Sequence, residues 1–161
     1  MTATTLHEAA TRGDALATKT LLDANPDQVN ATDEHGWTPL HLAAHYGFRA
    51  VAELLLAAGA DANSRSANSM ANTPLHAAAA GQQADLALLL LQHGAEINAT
   101  QHGGFTALHS AAQNGQIELV NLLLARGADP LATNEGGRTA RDFAADGNHT
   151  AVLEVLDTPS S

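Results

Sequence analysis

One phrase recurs along this chain at a nearly constant interval, and it restricts the possible folds more than any other feature. Gly36-Trp37-Thr38-Pro39-Leu40-His41-Leu42-Ala43-Ala44 returns as Asn72-Thr73-Pro74-Leu75-His76-Ala77-Ala78-Ala79 and again as Gly104-Phe105-Thr106-Ala107-Leu108-His109-Ser110-Ala111-Ala112. A worn copy reads Gly137-Arg138-Thr139-Ala140-Arg141-Asp142-Phe143-Ala144-Ala145, and Thr4-Thr5-Leu6-His7-Glu8-Ala9-Ala10 begins in the same phase. A Leu-rich block ending in Gly-Ala trails the internal copies at residues 54–61, 89–96 and 122–129. A unit this short cannot bury its apolar face alone, so such copies are stable only when stacked.

Each part of the phrase has a mechanical reading. Thr38 and Thr73 stand where a helix needs a capping oxygen, and Pro39 and Pro74 take the first helical position, where a missing N–H costs nothing. The alanines at 43, 44, 78, 79, 111 and 112 allow backbones to approach closely, and Gly47 and Gly115 break the chain between two helices. The Leu triplets supply the inner stripe of the second helix. Gly59, Gly94 and Gly127 then end it in a left-handed cap. Asp33-Glu34-His35-Gly36 suits a turn at a loop tip.

With these motifs in place, the chain resembles the ankyrin-repeat proteins. The pattern T-P-L-H-x-A-A, the LLL-x-x-GA block and the 33-residue spacing from Thr73 to Thr106 and from Thr106 to Thr139 all match. The resemblance implies an all-α solenoid of stacked helix-turn-helix units joined by β-hairpin loops, forming a single domain over 1–161. Its units would be 1–32, 33–67, 68–100, 101–133 and 134–157, followed by a tail at 158–161. The outer units read as caps of a complete stack: Thr20 replaces a Leu in the first, and Arg141, Asp142 and Asp157 replace Leu, His and Leu in the last.

Three departures stand out. The interval from Thr38 to Thr73 is two residues longer than the standard, and the small polar stretch 64–72 has Ala71 where its siblings have glycine. It reads as an enlarged, mobile tip, either functional or a tolerated insertion. Gly81 comes one residue early and leaves Gln82 at the usual glycine position, and Gly147 and Asn148 repeat the pattern. A small local adjustment is expected at Gln82.

Composition excludes several functions. The formal charge is −10, so phosphate backbones and anionic lipid are repelled, and nucleic acid is not an expected partner. With no cysteine, disulfides and thiolate metal sites are impossible. The longest apolar run, 86–91, is too short to cross a membrane, and the opening residues have no secretory pattern. A cytoplasmic protein, monomeric alone, is expected.

No catalytic, cofactor or metal site is expected either. His109 and Ser110 are adjacent on a helix, so their side chains diverge, and Gly103-Gly104 and Gly136-Gly137 belong to loop tips. His41 and His45 have the spacing of a helical metal pair, but no HExxH glutamate lies between them. His7, His41, His76 and His109 recur with the repeat, as a structural role requires, and they match the family's bonding histidine.

The resemblance implies a protein–protein interaction module that binds through loop tips and the concave face of the first helices. The matching tip positions are Glu34, His35, Trp37, Ser69, Met70, Asn72, His102, Phe105, Glu135 and Arg138. The matching helix positions are His45, Tyr46, Gln113, Asn114 and Asp146. Trp37 and Phe105 occupy equivalent places, either as interface anchors or as packing over their own helices. The alternatives are a regulatory or inhibitory subunit of an enzyme, or a self-associating scaffold. Asn63 and Asn98 read as turn residues, although in similar animal proteins such an Asn can be hydroxylated.

Overall fold

A computed structural model describes residues 3–158. Its helices come in five pairs: α1 (Leu6–Arg12) with α2 (Ala15–Ala24), α3 (Pro39–Tyr46) with α4 (Arg49–Ala57), α5 (Pro74–Ala80) with α6 (Ala84–Gln92), α7 (Ala107–Gln113) with α8 (Ile117–Ala125), and α9 (Ala140–Asp146) with α10 (Thr150–Asp157). First helices pack on first helices from α1 to α9, and second helices pack on second helices from α2 to α10. The described chain is an all-α solenoid of stacked helix pairs, as the resemblance implies. The tail expected to stop the last helix is described only at Thr158, which leaves the helical region at φ −77° and ψ 122°; residues 159–161 lie outside the described residues.

The core follows the repeat. Leu55, Leu90 and Leu123 are fully buried at the centre of the second helices, and the paired alanines of the first helices are buried against them. Removing each such leucine from water contributes about 2 kcal/mol. The alanines matter for what they omit, since a larger side chain would force neighbouring layers apart.

Every first helix opens with a reciprocal cap. Thr38, Thr73 and Thr106 accept the backbone N–H of His41, His76 and His109, and each imidazole accepts the threonine's own N–H in return. The outer nitrogen of each ring reaches the next unit: His41 Nε2 donates to Asn72 O at 2.8 Å, His76 to Phe105 O at 3.0 Å, and His109 to Arg138 O at 3.2 Å, with Ala132 O of its own unit also at 3.0 Å. These partners fix the tautomer. Nε2 faces a carbonyl and carries the proton, while Nδ1 faces an N–H and keeps its lone pair.

The end units solve the same problem with carboxylates. Thr5 pairs with Glu8 and Thr139 with Asp142, so α1 starts one residue later in the phrase than α3 does. His7 keeps only the outward bond, from Nε2 to Ala31 O at 2.9 Å. No further unit follows α9 and α10 among the described residues, so an acceptor-only side chain suffices at 142.

A second ladder runs along the other edge. Asn30, Asn63 and Asn98 each donate to a helix-terminal glycine carbonyl of the next unit and accept an N–H two residues beyond it. For Asn63 the distances are 2.9 Å to Gly94 O and 2.7 Å from Glu96 N. Asn63 and Asn98 therefore clamp neighbouring units, a larger role than that of a turn residue.

Two loop expectations need correction. No β-strand forms among the described residues. Each tip is instead a hairpin-like turn closed by two backbone bonds, such as Asp33 N to Trp37 O at 2.9 Å and Gly36 N to Asp33 O at 3.0 Å, with one further bond to the adjacent tip, such as Ala67 N to Gly36 O at 2.8 Å. A ladder needs several successive pairs, and these turns are too short to supply them.

The insertion at 64–72 is stitched down, contrary to the loose tip its composition suggested. Ser66 is buried and bonds to Asn68 and Asn72, Asn68 Nδ2 donates to His35 O, and Arg65 donates to Ala71 O and Thr100 O. These side chains add to the backbone closure that the longer loop keeps, Ser66 N to Asn72 O at 2.7 Å. Ala71, Gln82 and Asn148 stand where glycine is usual, and all three take positive φ, at 50°, 59° and 55°. The adjustment expected at Gln82 is thus borne by its own backbone, and Gly81 serves a close approach to His45.

Candidate functional site

The side formed by the first helices and tips gathers some of the expected residues and diverts others. Trp37, His45, Tyr46, Met70 and Asn72 line one hollow of about 410 Å³ between the second and third units. Tyr46 is 50% exposed and Met70 42%, so both offer apolar area to solvent. Trp37 is half-buried, its ring edge-on to His41 at 5.3 Å, and the His45 and Tyr46 rings meet edge-on at 4.9 Å. Trp37 packs over its own helix and still forms a wall of the hollow.

The hollow exists because the third unit does not fill it. Its floor is Ala77 and Ala80, where the second unit carries Leu42 and His45. At the equivalent place nearer the C-terminal end, Phe143 is present and closes the space. Phe105 packs against Phe143 at 5.4 Å and against His109 at 6.0 Å. The Arg138 guanidinium lies 4.2 Å over the Phe143 ring and is paired with Asp146. Phe105 and Arg138 therefore pack into the stack in this structure.

The remaining candidates are scattered. Glu34 and His35 are exposed at the second tip, 3.6 Å apart, with Glu34 lining a separate hollow nearer α1. Ser69 and His102 are exposed at tips, as is Glu135, while Gln113 and Asn114 are exposed at the end of α7. The Gln113 carbonyl accepts from His149 Nε2 at 2.9 Å. The sequence reading had missed Ala77, Ala80 and Ser110 as lining residues. Their signal was small size at positions where other units carry Leu, His or Phe.

Burial lowers the pKa of His41, His76 and His109 despite the carbonyls their outer nitrogens face, and His76 falls to about 4. His41 and His76 border the hollow, but their polar atoms are engaged within the fold. Among the described residues, no three His, Asp or Glu side chains come together as a metal site, and no helix is long and apolar enough to cross a membrane.

Stacked helix pairs joined by tips and tied by His and Asn ladders define a repeat scaffold with hollows along its first helices and tips. Comparison with known proteins identifies it: the family described as ankyrin repeats (three copies) matches residues 2–66, 58–134 and 101–158. The chain belongs to the ankyrin-repeat family. It is 38% identical over 119 residues to the neurogenic locus Notch protein of Drosophila melanogaster, a match covering 64% of this chain and 4% of that protein. It is 44% identical over 78 residues to the neurogenic locus notch homolog protein 1 of Mus musculus, covering 48% of this chain and 3% of the relative. The serine/threonine-protein kinase VIK of Arabidopsis thaliana is 38% identical over 85 residues, covering 53% of this chain and 19% of the kinase. The chain thus spans only a small part of each of these proteins. Ankyrin repeats generally mediate protein–protein interaction, and the family is generally non-catalytic.

Proposed function

We propose that this chain is a non-catalytic binding module that holds a partner protein on its concave face, with the hollow between the second and third units as the principal contact. The observation that carries this reading is the exposed apolar area of Tyr46 and Met70 beside the half-buried Trp37, above a floor reduced to alanine. Concave sites with aromatic walls and a few polar groups are where binding energy concentrates. His45 and Asn72 belong to this contact, with Glu34, His35, Ser69, His102, Gln113 and Asn114 as its polar surroundings.

The formal charge of −10 favours a partner with a basic or neutral face, and such an association weakens as salt rises. The reading treats the five units as one domain, the outer two as caps, monomeric when unbound and acting in the cytoplasm. The test is affinity capture from native extract with the wild type and with a folded Trp37→Ala, Tyr46→Ala, Met70→Ala variant. A partner captured equally by both would place binding elsewhere.

A further inference from the structure

We propose that the concave face grips an extended segment of the partner at two points: a bulky apolar side chain in the hollow beside Tyr46, and a lysine or arginine over Glu8 and Glu34. This rests on the binding reading above and adds the chemistry of the partner.

Two hollows lie side by side on this face and share Leu42 as a common wall. The first is lined by no Asp, Glu, Lys or Arg, and its alanine floor leaves room for a large side chain. Filling it removes apolar surface of Trp37, Tyr46 and Met70 from water. The second, about 550 Å³, is lined by Glu8, Asp33 and Glu34 against the single cation Arg12, a net charge of −2 from three negatives and one positive.

Hydrogen bonds do not cancel that charge. Asp33 accepts the N–H groups of His35 and Trp37, and Glu8 accepts that of Thr5, all between uncharged donors and carboxylates. Among the described residues Arg12 forms no ion pair, and Glu34 has only His35 nearby, at 3.6 Å. The hollow therefore attracts a cation and repels an acidic or phosphorylated segment.

The two hollows belong to neighbouring layers of the stack, roughly 8–10 Å apart for packed helices. A chain extended as a polyproline II helix advances ~3.1 Å per residue and turns once every three, so side chains about three residues apart share one face and span that separation. Leu42 then lies beneath the residues between them.

The probe is a displayed library of random peptides of about twelve residues, roughly 40 Å when extended. It is selected on the full chain, and the enriched peptides are remeasured against variants shown to be folded. Enriched peptides are expected to pair an aromatic, Leu or Met with Lys or Arg about three residues away. Tyr46→Ala weakens them about tenfold or more. The Glu8→Gln, Glu34→Gln pair, which preserves the α1 cap, weakens them about fivefold at low salt and little at high salt.

Peptides that depend on Tyr46 but show no basic preference overturn the two-point proposal and leave the groove reading intact. Peptides indifferent to Tyr46→Ala overturn both. A concentration-dependent dimer that Tyr46→Ala abolishes would put a second copy of the chain in the groove and overturn the proposal as well.

Discussion

The carbonyl oxygen of His45 lies so close to Gly81 that a Cβ built on residue 81 would stand 1.9 Å from it. Gly81 itself has an ordinary φ of −81°, and the left-handed turn falls on Gln82 at φ 59°. Contact and turn need different residues here, and only the contact position is glycine. Gly81→Ala is expected to lower stability by about 2–3 kcal/mol through overpacking. Gln82→Gly should raise it by about 0.5–1 kcal/mol by relieving the left-handed strain. Urea unfolding of both variants checks the pair, and equal effects would contradict this division of roles.

The buried histidines make stability depend on pH. An unfolded chain protonates its imidazoles near pH 6.5, whereas burial holds His76 down to about 4 and also lowers His41 and His109. Because the folded pKa is depressed, the stabilisation is full above 6.5 and is lost as pH falls from there through about 4. His76 alone accounts for about 3 kcal/mol by pH 4. Urea midpoints between pH 7 and 4, with imidazole NMR shifts, provide the measurement. A folded His76 that titrates near 6.5 would refute it.

Thr73 and His76 act as one device, since the threonine hydroxyl meets Nδ1 at 2.9 Å and accepts the His76 N–H. Thr73→Ala is expected to cost about 1–2 kcal/mol through the lost cap and the lost hydroxyl contact, while Nδ1 keeps the N–H of residue 73 as its donor. Thr73→Ser keeps the hydroxyl and should retain most of that stability. Thermal unfolding of the two variants separates the hydroxyl from the methyl group.

Trp37 and Phe105 hold equivalent places in the repeat, and Phe105 is packed against Phe143. Phe105→Ala should therefore destabilise the chain by about 2–3 kcal/mol. Tyr46→Ala, at a half-exposed site, should change stability by less than about 0.5 kcal/mol while weakening partner binding. Chemical denaturation beside binding to the captured partner tests the contrast. A Phe105→Ala variant of unchanged stability would restore that residue as a surface anchor.

Much of the fold could be read from the sequence because it repeats. Thr, Pro, Leu, His and the glycine caps each recur where one physical requirement recurs, so periodicity alone gives the helix pairs and their stacking. The candidate site was less legible, because it depends on what differs between units. Trp37 and Phe105 look alike in their own units. Their fates diverge over one residue in the following unit, Ala77 beside the first hollow and Phe143 against the second aromatic. The bracing of 64–72 was hidden for another reason: Ser66 and Asn68 look like linker residues until the fold sets Ser66 against Asn72 in its own loop and Asn68 against His35 of the adjacent tip.

The His and Asn ladders all point one way. His41, His76 and His109 reach forward to carbonyls that come later in the chain, and Asn30, Asn63 and Asn98 do the same along the opposite edge. The two ends of the array are thus not interchangeable. Trimming from the front removes donors and leaves backbone groups that water can satisfy, whereas trimming from the back strands side chains whose acceptors have gone. During synthesis the same asymmetry favours growth, because each finished layer already displays the fittings for the one still emerging.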